Sequence, residues 1–170
     1  MDKIIVIVGT NHEFQWSDKC RSNDEIEKFR NYLSVLVKKH SIHAIAEEMN
    51  KEVLNENSQD ESIPFQVAQS FNIAHQYSDP TIDEQSELGI MNEGTIEYYG
   101  QYRNNWSREE IQERIEKEYR KREAVWLARI KTLNKWPLLF ICGSEHVTPF
   151  CNKLLKSGFI VNIEANSWTA

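Results

Sequence analysis

Apolar residues fall along the chain in short continuous runs, which are separated by longer segments where apolar positions recur at helical spacing. The short runs cover residues 3–8, 42–46, 73–77, 138–142 and 159–163, and each predicts a β-strand. The first run consists almost entirely of isoleucine and valine, which is typical of a strand buried on both faces.

Helical spacing predicts helices over residues 23–39, 62–71, 81–90 and 107–134. Ser107 and Glu110 have the spacing of a capping box at the start of the longest of these. Thr148 followed by Pro149 predicts the start of a last helix. The polar residues 50–61 predict a loop or a frayed helix.

The order of these elements defines a fold class. Strands and helices alternate along the chain, which favours parallel strands joined by helical crossovers. The sequence therefore predicts a single α/β domain over residues 1–170, with a mostly parallel sheet of about five strands and helices on both faces.

Residues that carry chemistry follow three of the predicted strands directly. A Gly-x-x-His motif ends at His12 and a second one ends at His146, while Glu47 and Glu48 close the second strand. Ligands of parallel sheets bind at the carboxyl ends of the strands, so we expect these side chains to converge. An imidazole at such an edge can act as a general base or bind a metal.

Glu47 and Glu48 are neighbours at a strand end, so their side chains should point to opposite sides of the sheet. One of them could bind a metal or orient a histidine while the other caps a loop. The alternative is that both are solvated, and the sequence does not choose between the two residues.

The long predicted helix carries charged residues on the same stripe as apolar ones. The apolar members are Ile111, Ile115, Val125, Trp126 and Leu133, and the charged members are Glu118, Arg122 and Arg129. Glu118 and Arg122 also have the spacing of an ion pair on one helix. A charge that faces a core needs a partner, so we expect Arg122 to meet a carboxylate at the sheet edge or an anionic substrate. A purely structural ion pair is the other interpretation.

Weaker candidates have simpler explanations. His75 lies within a predicted strand and is expected to be a satisfied core or edge histidine, and Asp79 before Pro80 is expected to cap a turn. An aromatic segment precedes the long helix and could form a ligand wall or simply pack; it contains Tyr98, Tyr99, Tyr102 and Trp106.

Composition narrows the function classes. Apolar residues make up 40%, charged residues 27%, and the net charge is −6, which is ordinary for a globular protein and gives no support to nucleic-acid binding. No run is long enough for a membrane span. Cys20, Cys142 and Cys151 are few, odd in number and widely spaced, which favours free thiols in the cytoplasm. The oligomeric state is left open.

Four motifs together resemble the TraB/ChaN/Tiki/erythromycin-esterase-like superfamily. They are GTNH (9–12), AEE (46–48), KREAVWLARI (121–130) and CGSEH (142–146). The resemblance implies a site formed by His12, Glu47 or Glu48, Arg122 and His146. The chain differs from Tiki-like proteins at Glu123, where those proteins usually carry asparagine.

The superfamily implies several activities. Tiki-like members are divalent-metal peptidases, erythromycin-esterase-like members hydrolyse an ester with a histidine base and no essential metal, and ChaN-like members bind haem. If the chain is metal-dependent like the Tiki-like members, the resemblance implies that His12, Glu47 and His146 hold manganese, zinc or iron.

The leading hypothesis is a small cytoplasmic hydrolase that acts on a small molecule or a peptide. In it, His12 or His146 activates water, directly or through a metal, and Arg122 orients the carboxylate or stabilises negative charge. Two alternatives remain open. One is a module that binds a small ligand or haem without turnover, and the other is a protein-interaction module with an idle site.

Overall fold

The computed structural model describes residues 2–16 and 21–170, and Cys20 lies outside them. The strands are β1 (Ile4–Thr10), β2 (Ala44–Glu47), β3 (Ala74–Tyr77), β4 (Leu138–Gly143) and β5 (Ile160–Trp168). The α-helices are α1 (His12–Gln15), α2 (Asn23–Lys39), α3 (Lys51–Glu56), α4 (Ile63–Ser70), α5 (Ile82–Glu87), α6 (Glu93–Tyr99), α7 (Arg108–Leu133) and α8 (Ser144–Lys156). A π-helical turn, Gly100–Asn104, joins α6 to α7.

All five strands are parallel and lie in the order β3-β2-β4-β1-β5. From β1 the chain winds towards β2, whereas from β4 it winds in the opposite direction to β5. The winding therefore reverses between the neighbouring strands β4 and β1, and in such sheets a crevice opens at the carboxyl ends of the two strands where this happens. The predicted α/β class and the predicted sheet are confirmed.

Helices cover both faces of the sheet, as predicted. Val6 and Val8 of β1 face a core built with α2 and α4. Ile5 and Ile7 alternate with them and face a second core, built with α7 and α8. The two-residue period of the strand assigns these side chains to opposite faces. Because the central strands are buried on both sides, only their ends can present functional groups.

The start of α8 differs from the prediction. The helix begins directly after β4 with Gly143 as its N-cap, so Pro149 lies inside it and His146 lies in its first turn. Because the helix starts early, Val147 packs into the core on the same face as Phe150. The stability gained from this packing outweighs the loss of the one helical hydrogen bond that Pro149 cannot donate. His146 is therefore held by a helix rather than by a loop.

The long helix α7 has the predicted capping box of Ser107 and Glu110, but its buried face is rotated from the predicted stripe. Its buried residues are Ile111, Ile115, Glu123, Trp126 and Ile130. The predicted pair between Glu118 and Arg122 is not formed, because Glu118 bonds to Lys121 and to the Met91 amide instead. Within residues 2–16 and 21–170, no helix is both long and apolar enough to cross a membrane.

Candidate active site

Glu48 is the centre of a buried polar cluster at the carboxyl edge of the sheet. Its Oε1 accepts a hydrogen bond from Arg122 Nη2 at 2.6 Å, and its Oε2 accepts one from the Gly143 amide at 2.8 Å. Two histidine nitrogens approach the same carboxylate: His12 Nε2 lies 3.7 Å from Oε2, and His146 Nε2 lies 3.4 Å from Oε1. The residues that follow β1, β2 and β4 therefore converge, as the strand order requires.

Glu47 points to the other side of β2. Its Oε1 accepts hydrogen bonds from Ser62 Oγ and from His75 Nε2, and its Oε2 accepts one from Gln15 Nε2 at 3.0 Å. The side chain is fully buried. The alternation along the strand thus divides two carboxylates between two networks, and Glu48 is the one that meets Arg122 and both motif histidines.

His12 links the two networks. Its Nδ1 lies 2.8 Å from Gln15 Oε1, and the amide nitrogen of Gln15 donates to Glu47. Because a carboxylate only accepts, the Gln15 oxygen must face His12 and accept a hydrogen bond from Nδ1. In the neutral ring this leaves Nε2 free to accept a proton. The His12 side chain is 31% exposed, whereas those of Glu48 and His146 are almost fully buried.

Arg122 is held by two carboxylates at once. Its Nε donates to Asp79 Oδ1 at 2.9 Å, while Nη2 donates to Glu48. Trp126 Nε1 donates to the same Asp79 oxygen at 3.0 Å. The expected partner for Arg122 at the sheet edge is therefore Glu48. Asp79, which the sequence assigns only to a turn, fixes the guanidinium from the opposite side.

His146 is buried between carboxylates. Its Nδ1 lies 3.0 Å from Glu123 Oε1, and Arg120 Nη2 lies 3.0 Å from the same oxygen. Its Nε2 has no hydrogen-bond partner within the described part of the chain, although Glu48 is near. Glu123 therefore orients the ring. This is the position at which the chain departs from the asparagine of Tiki-like proteins.

The electrostatics of the cluster follow from burial and from these pairings. The pKa of Glu48 lies below its ordinary value. Burial raises this pKa, but the combined lowering by His12, Arg122, His146 and the Gly143 amide is larger than the effect of burial. Burial raises the pKa of Asp79 above its ordinary value, although Arg122 opposes the rise. Burial lowers the pKa of Arg122, but Glu48 and Asp79 raise it more. The pair of Glu48 and Arg122 is therefore charged at neutral pH.

The metal set predicted from the sequence is not assembled. Glu47 lies in the other network, away from His146, and Glu48 already accepts hydrogen bonds from a guanidinium and an amide. Residues 2–16 and 21–170 contain no group of three or more histidine, cysteine or acidic side chains placed to hold a metal ion. A guanidinium 2.6 Å from the central carboxylate also repels a dication. The described residues therefore do not assemble the predicted ligand set. The divalent metal itself remains a prediction from the sequence.

Two cavities flank the cluster. One, of about 550 Å³, is lined by His12, Ser144 and Glu145. The other, of about 630 Å³, is lined by a separate set of residues that includes Asp79, Tyr119 and Arg122. His12 is the more exposed of the two histidines that approach Glu48, and of these two only His12 lines the first cavity.

Several supporting residues are not predicted by the sequence. Gln15 is three residues from His12, and this spacing within a helical turn could have indicated the contact. Glu123, Trp126 and Ile130 have the spacing of one helix face, which could have indicated that Glu123 is buried. Ser62 carries no comparable signal, because it reaches Glu47 only through the packing of α4 against the sheet.

No known protein family, characterised protein or solved structure matches the chain. The resemblance to the TraB/ChaN/Tiki/erythromycin-esterase-like superfamily therefore rests on the four short motifs, and it stays a prediction. The residues that these motifs imply, with Glu48 as the carboxylate, are the ones that converge at the carboxyl edge of the sheet.

Proposed function

We propose that the protein is a small hydrolase that uses His12 as a general base without a metal, and that cleaves an ester or amide bond in a small molecule or a peptide. One observation carries this proposal: the contacts from Glu47 through Gln15 to Nδ1 of His12 leave Nε2 as the proton acceptor of a ring that lines a cavity. General bases are recognised by such an orienting partner on the second ring nitrogen.

The proposed reaction has two proton transfers. A water molecule in the cavity attacks the carbonyl carbon while His12 Nε2 takes its proton. The imidazolium then lies 3.7 Å from the Glu48 carboxylate, which stabilises its charge. When the bond to the leaving group breaks, Nε2 returns the proton to the departing oxygen or nitrogen. Arg122 keeps Glu48 oriented and charged throughout.

We also propose a cytoplasmic location. Cys142 and Cys151 are free thiols, the first buried and the second half-buried, and free thiols are ordinary in a reducing compartment. Burial raises the pKa of the Cys142 thiol well above its usual value, so this cysteine is unsuited to act as a nucleophile.

Replacing His12 with alanine is expected to lower the rate of hydrolysis by at least about a hundredfold, because the general base is lost. The measurement is a screen of ester, peptide and phosphoester substrates with the wild type, followed by kcat and KM for the best substrate. A metal chelator is expected to leave the wild-type rate unchanged.

His43→Ala is the matched control. His43 is exposed and lies at the amino end of β2, away from the site at the carboxyl end, so this variant should retain wild-type activity. Equal activity of His12→Ala and wild type would rule out His12 as the base. Loss of activity with chelator, restored by added manganese, zinc or iron, would instead support the metal version. A ligand that binds without turnover in any assay would favour the binding module.

Gln15→Met is expected to release the His12 ring from its single tautomer and to lower the rate at least about tenfold. Methionine keeps the apolar volume of this fully buried side chain but neither accepts from Nδ1 nor donates to Glu47. Nitrogen-15 NMR of the ring should show the proton on Nδ1 in the wild type and a mixture of tautomers in the variant. Gln69→Ala, at an exposed position of α4, should change neither. An unchanged tautomer in Gln15→Met would contradict the orienting role.

A further inference from the structure

The cavity of about 630 Å³ that contains Asp79 and Arg122 is acidic, and the proposed hydrolysis does not use it. Its volume is in the range of small-molecule sites. Arg122 is the only cationic side chain among the described residues that line it. Five carboxylates line the same cavity, and they come from α3, from the segment after β3, from α6 and from α7: Glu52, Glu56, Asp79, Glu93 and Glu118. A cleft with such an excess of one sign of charge concentrates ligands of the opposite sign.

Arg122 does not neutralise this cavity, because its charge is already shared. The guanidinium donates to Glu48 at 2.6 Å and to Asp79 at 2.9 Å. Two carboxylates against one guanidinium leave the three groups with a net charge of −1 when all are ionised. Burial raises the pKa of Asp79 most, and the negative charge of Glu48 raises it further, so the pKa stays above its ordinary value in spite of Arg122. Asp79 therefore lacks part of the positive charge that a buried carboxylate needs.

One oxygen of Asp79 has no donor. Oδ1 accepts hydrogen bonds from Arg122 Nε and Trp126 Nε1, whereas Oδ2 accepts none from residues 2–16 and 21–170. The side chain is only 8% exposed, yet Oδ2 is not among the fully buried atoms that lack a partner. Since Asp79 lines the cavity, its free oxygen is open to a molecule inside. A carboxylate oxygen that is more than nine-tenths buried and unpaired favours a cationic donor, and this holds independently of the other acids.

The arrangement of the carboxylates indicates the kind of cation. No three histidine, cysteine or acidic side chains of the described residues are placed to hold a metal ion, so a single small cation does not satisfy this set. Apolar side chains also line the cavity, among them Ile90 and Ile115, which are buried. An ammonium group donates three hydrogen bonds, and the methylene groups of a long amine pack against apolar surface. A linear diamine or polyamine has both features.

We propose that this cavity binds a linear diamine or polyamine, with one ammonium group on Asp79 Oδ2 and a second on the outer carboxylates Glu56 and Glu93. Both outer residues are exposed, and Glu56 forms no ion pair with any described residue, so it is available to a ligand. Tyr119 donates to Glu93 at 2.6 Å and holds that carboxylate at the cavity. The site does not rest on the proposed hydrolase function, because His12 lines the other cavity.

Spermidine is the probe, and one molecule is expected to bind per chain. It is titrated into the 170-residue protein by calorimetry at constant ionic strength, and the indole signal of Trp126 is followed by NMR, because Trp126 donates to the same carboxylate. n-Butylamine, which has a single ammonium group, is expected to bind at least about tenfold more weakly. Glu56→Gln combined with Glu93→Gln is expected to weaken spermidine binding about tenfold. The matched control is Glu97→Gln combined with Glu113→Gln. It removes two exposed carboxylates that do not line the cavity, so it should bind spermidine like the wild type.

Asp79→Asn keeps an acceptor oxygen for Arg122 and Trp126 but places an NH₂ group where Oδ2 lies. This variant is expected to bind spermidine at least about tenfold more weakly than the wild type. The two double variants at exposed positions decide the question even where Asp79→Asn fails to fold. No binding of spermidine, an equal loss in both double variants, or an unchanged Trp126 signal would overturn the site. Affinity for n-butylamine or for magnesium equal to that for spermidine would overturn the polyamine assignment.

Discussion

Replacing Glu48 with alanine is expected to lower the free energy of unfolding by about 3–5 kcal/mol at pH 7, because it removes the partner of a buried charge. Arg122 would keep Asp79 but lose its shorter contact, and the Gly143 amide would lose its acceptor. His146, which is fully buried, would also lose the nearest carboxylate to its unpaired nitrogen. The measurement is urea unfolding followed by circular dichroism.

Glu113→Ala is the matched control for Glu48, because it removes an exposed carboxylate, and it should stay within about 0.5 kcal/mol of the wild type. Glu48→Gln separates charge from volume, since the amide keeps the shape and one acceptor oxygen. A loss of less than about 1 kcal/mol in Glu48→Ala would show that the cluster does not stabilise the fold in the way its contacts indicate.

Arg122→Ala is expected to cost about 3–5 kcal/mol at pH 7 as well, because Glu48 and Asp79 would be left as two buried carboxylates without their cation. The free energy of unfolding of Arg122→Ala should also depend on pH differently from that of the wild type. In the wild type the pKa of Glu48 lies below its ordinary value of 4.5, so its contribution is present above this pH and is lost as the pH falls through the lowered pKa. The pKa of Asp79 is raised, so its contribution to the free energy of unfolding has the opposite pH dependence. This contribution is present at low pH and is lost as the pH rises through the raised pKa.

Without the guanidinium, burial should raise the pKa of both carboxyls, and each can then take up a proton in the folded protein. The loss of unfolding free energy caused by Arg122→Ala is therefore expected to be smaller at pH 5 than at pH 7, by about 1 kcal/mol or more. A difference of this size corresponds to a rise of about one unit in the pKa of a carboxyl group in the variant. Urea unfolding at both pH values tests this. Arg108→Ala, at an exposed position of α7, should show a small and pH-independent effect. An equal cost of Arg122→Ala at both pH values would contradict the pairing.

The sequence predicts the fold because its signals are local and repeated. The continuous apolar runs locate all five strands, and the order of elements is enough to predict parallel pairing. The residues at the carboxyl edge of the sheet can then be predicted without knowledge of any contact, because every residue just after a parallel strand lies at that edge. For this reason His12, the pair of Glu47 and Glu48, and His146 can be chosen as candidates from their positions alone, whereas the choice of Glu48 over Glu47 needs the structure.

The supporting contacts cannot be predicted in the same way. Asp79 reaches Arg122 across 43 residues of chain, and Ser62 reaches Glu47 from the start of another helix. Such contacts depend on how helices rotate when they pack. The buried face of α7 shows this, because it carries Glu123, which the predicted stripe leaves out. A single sequence gives the period of a helix more reliably than its orientation in the core.

The strand order also determines when the site can form during folding. β1 and β2, which carry His12 and Glu48 at their ends, are not neighbours, because β4 lies between them. β4 comes from the last quarter of the chain, so the two side chains cannot meet until Leu138–Gly143 has been synthesised and inserted. Until then β1 has neither of its partners, since within residues 2–16 and 21–170 it pairs with β4 and β5 alone. A nascent chain would hold its most apolar strand unpaired for most of its synthesis, and during that time it would depend on chaperones or on the ribosome surface to avoid aggregation.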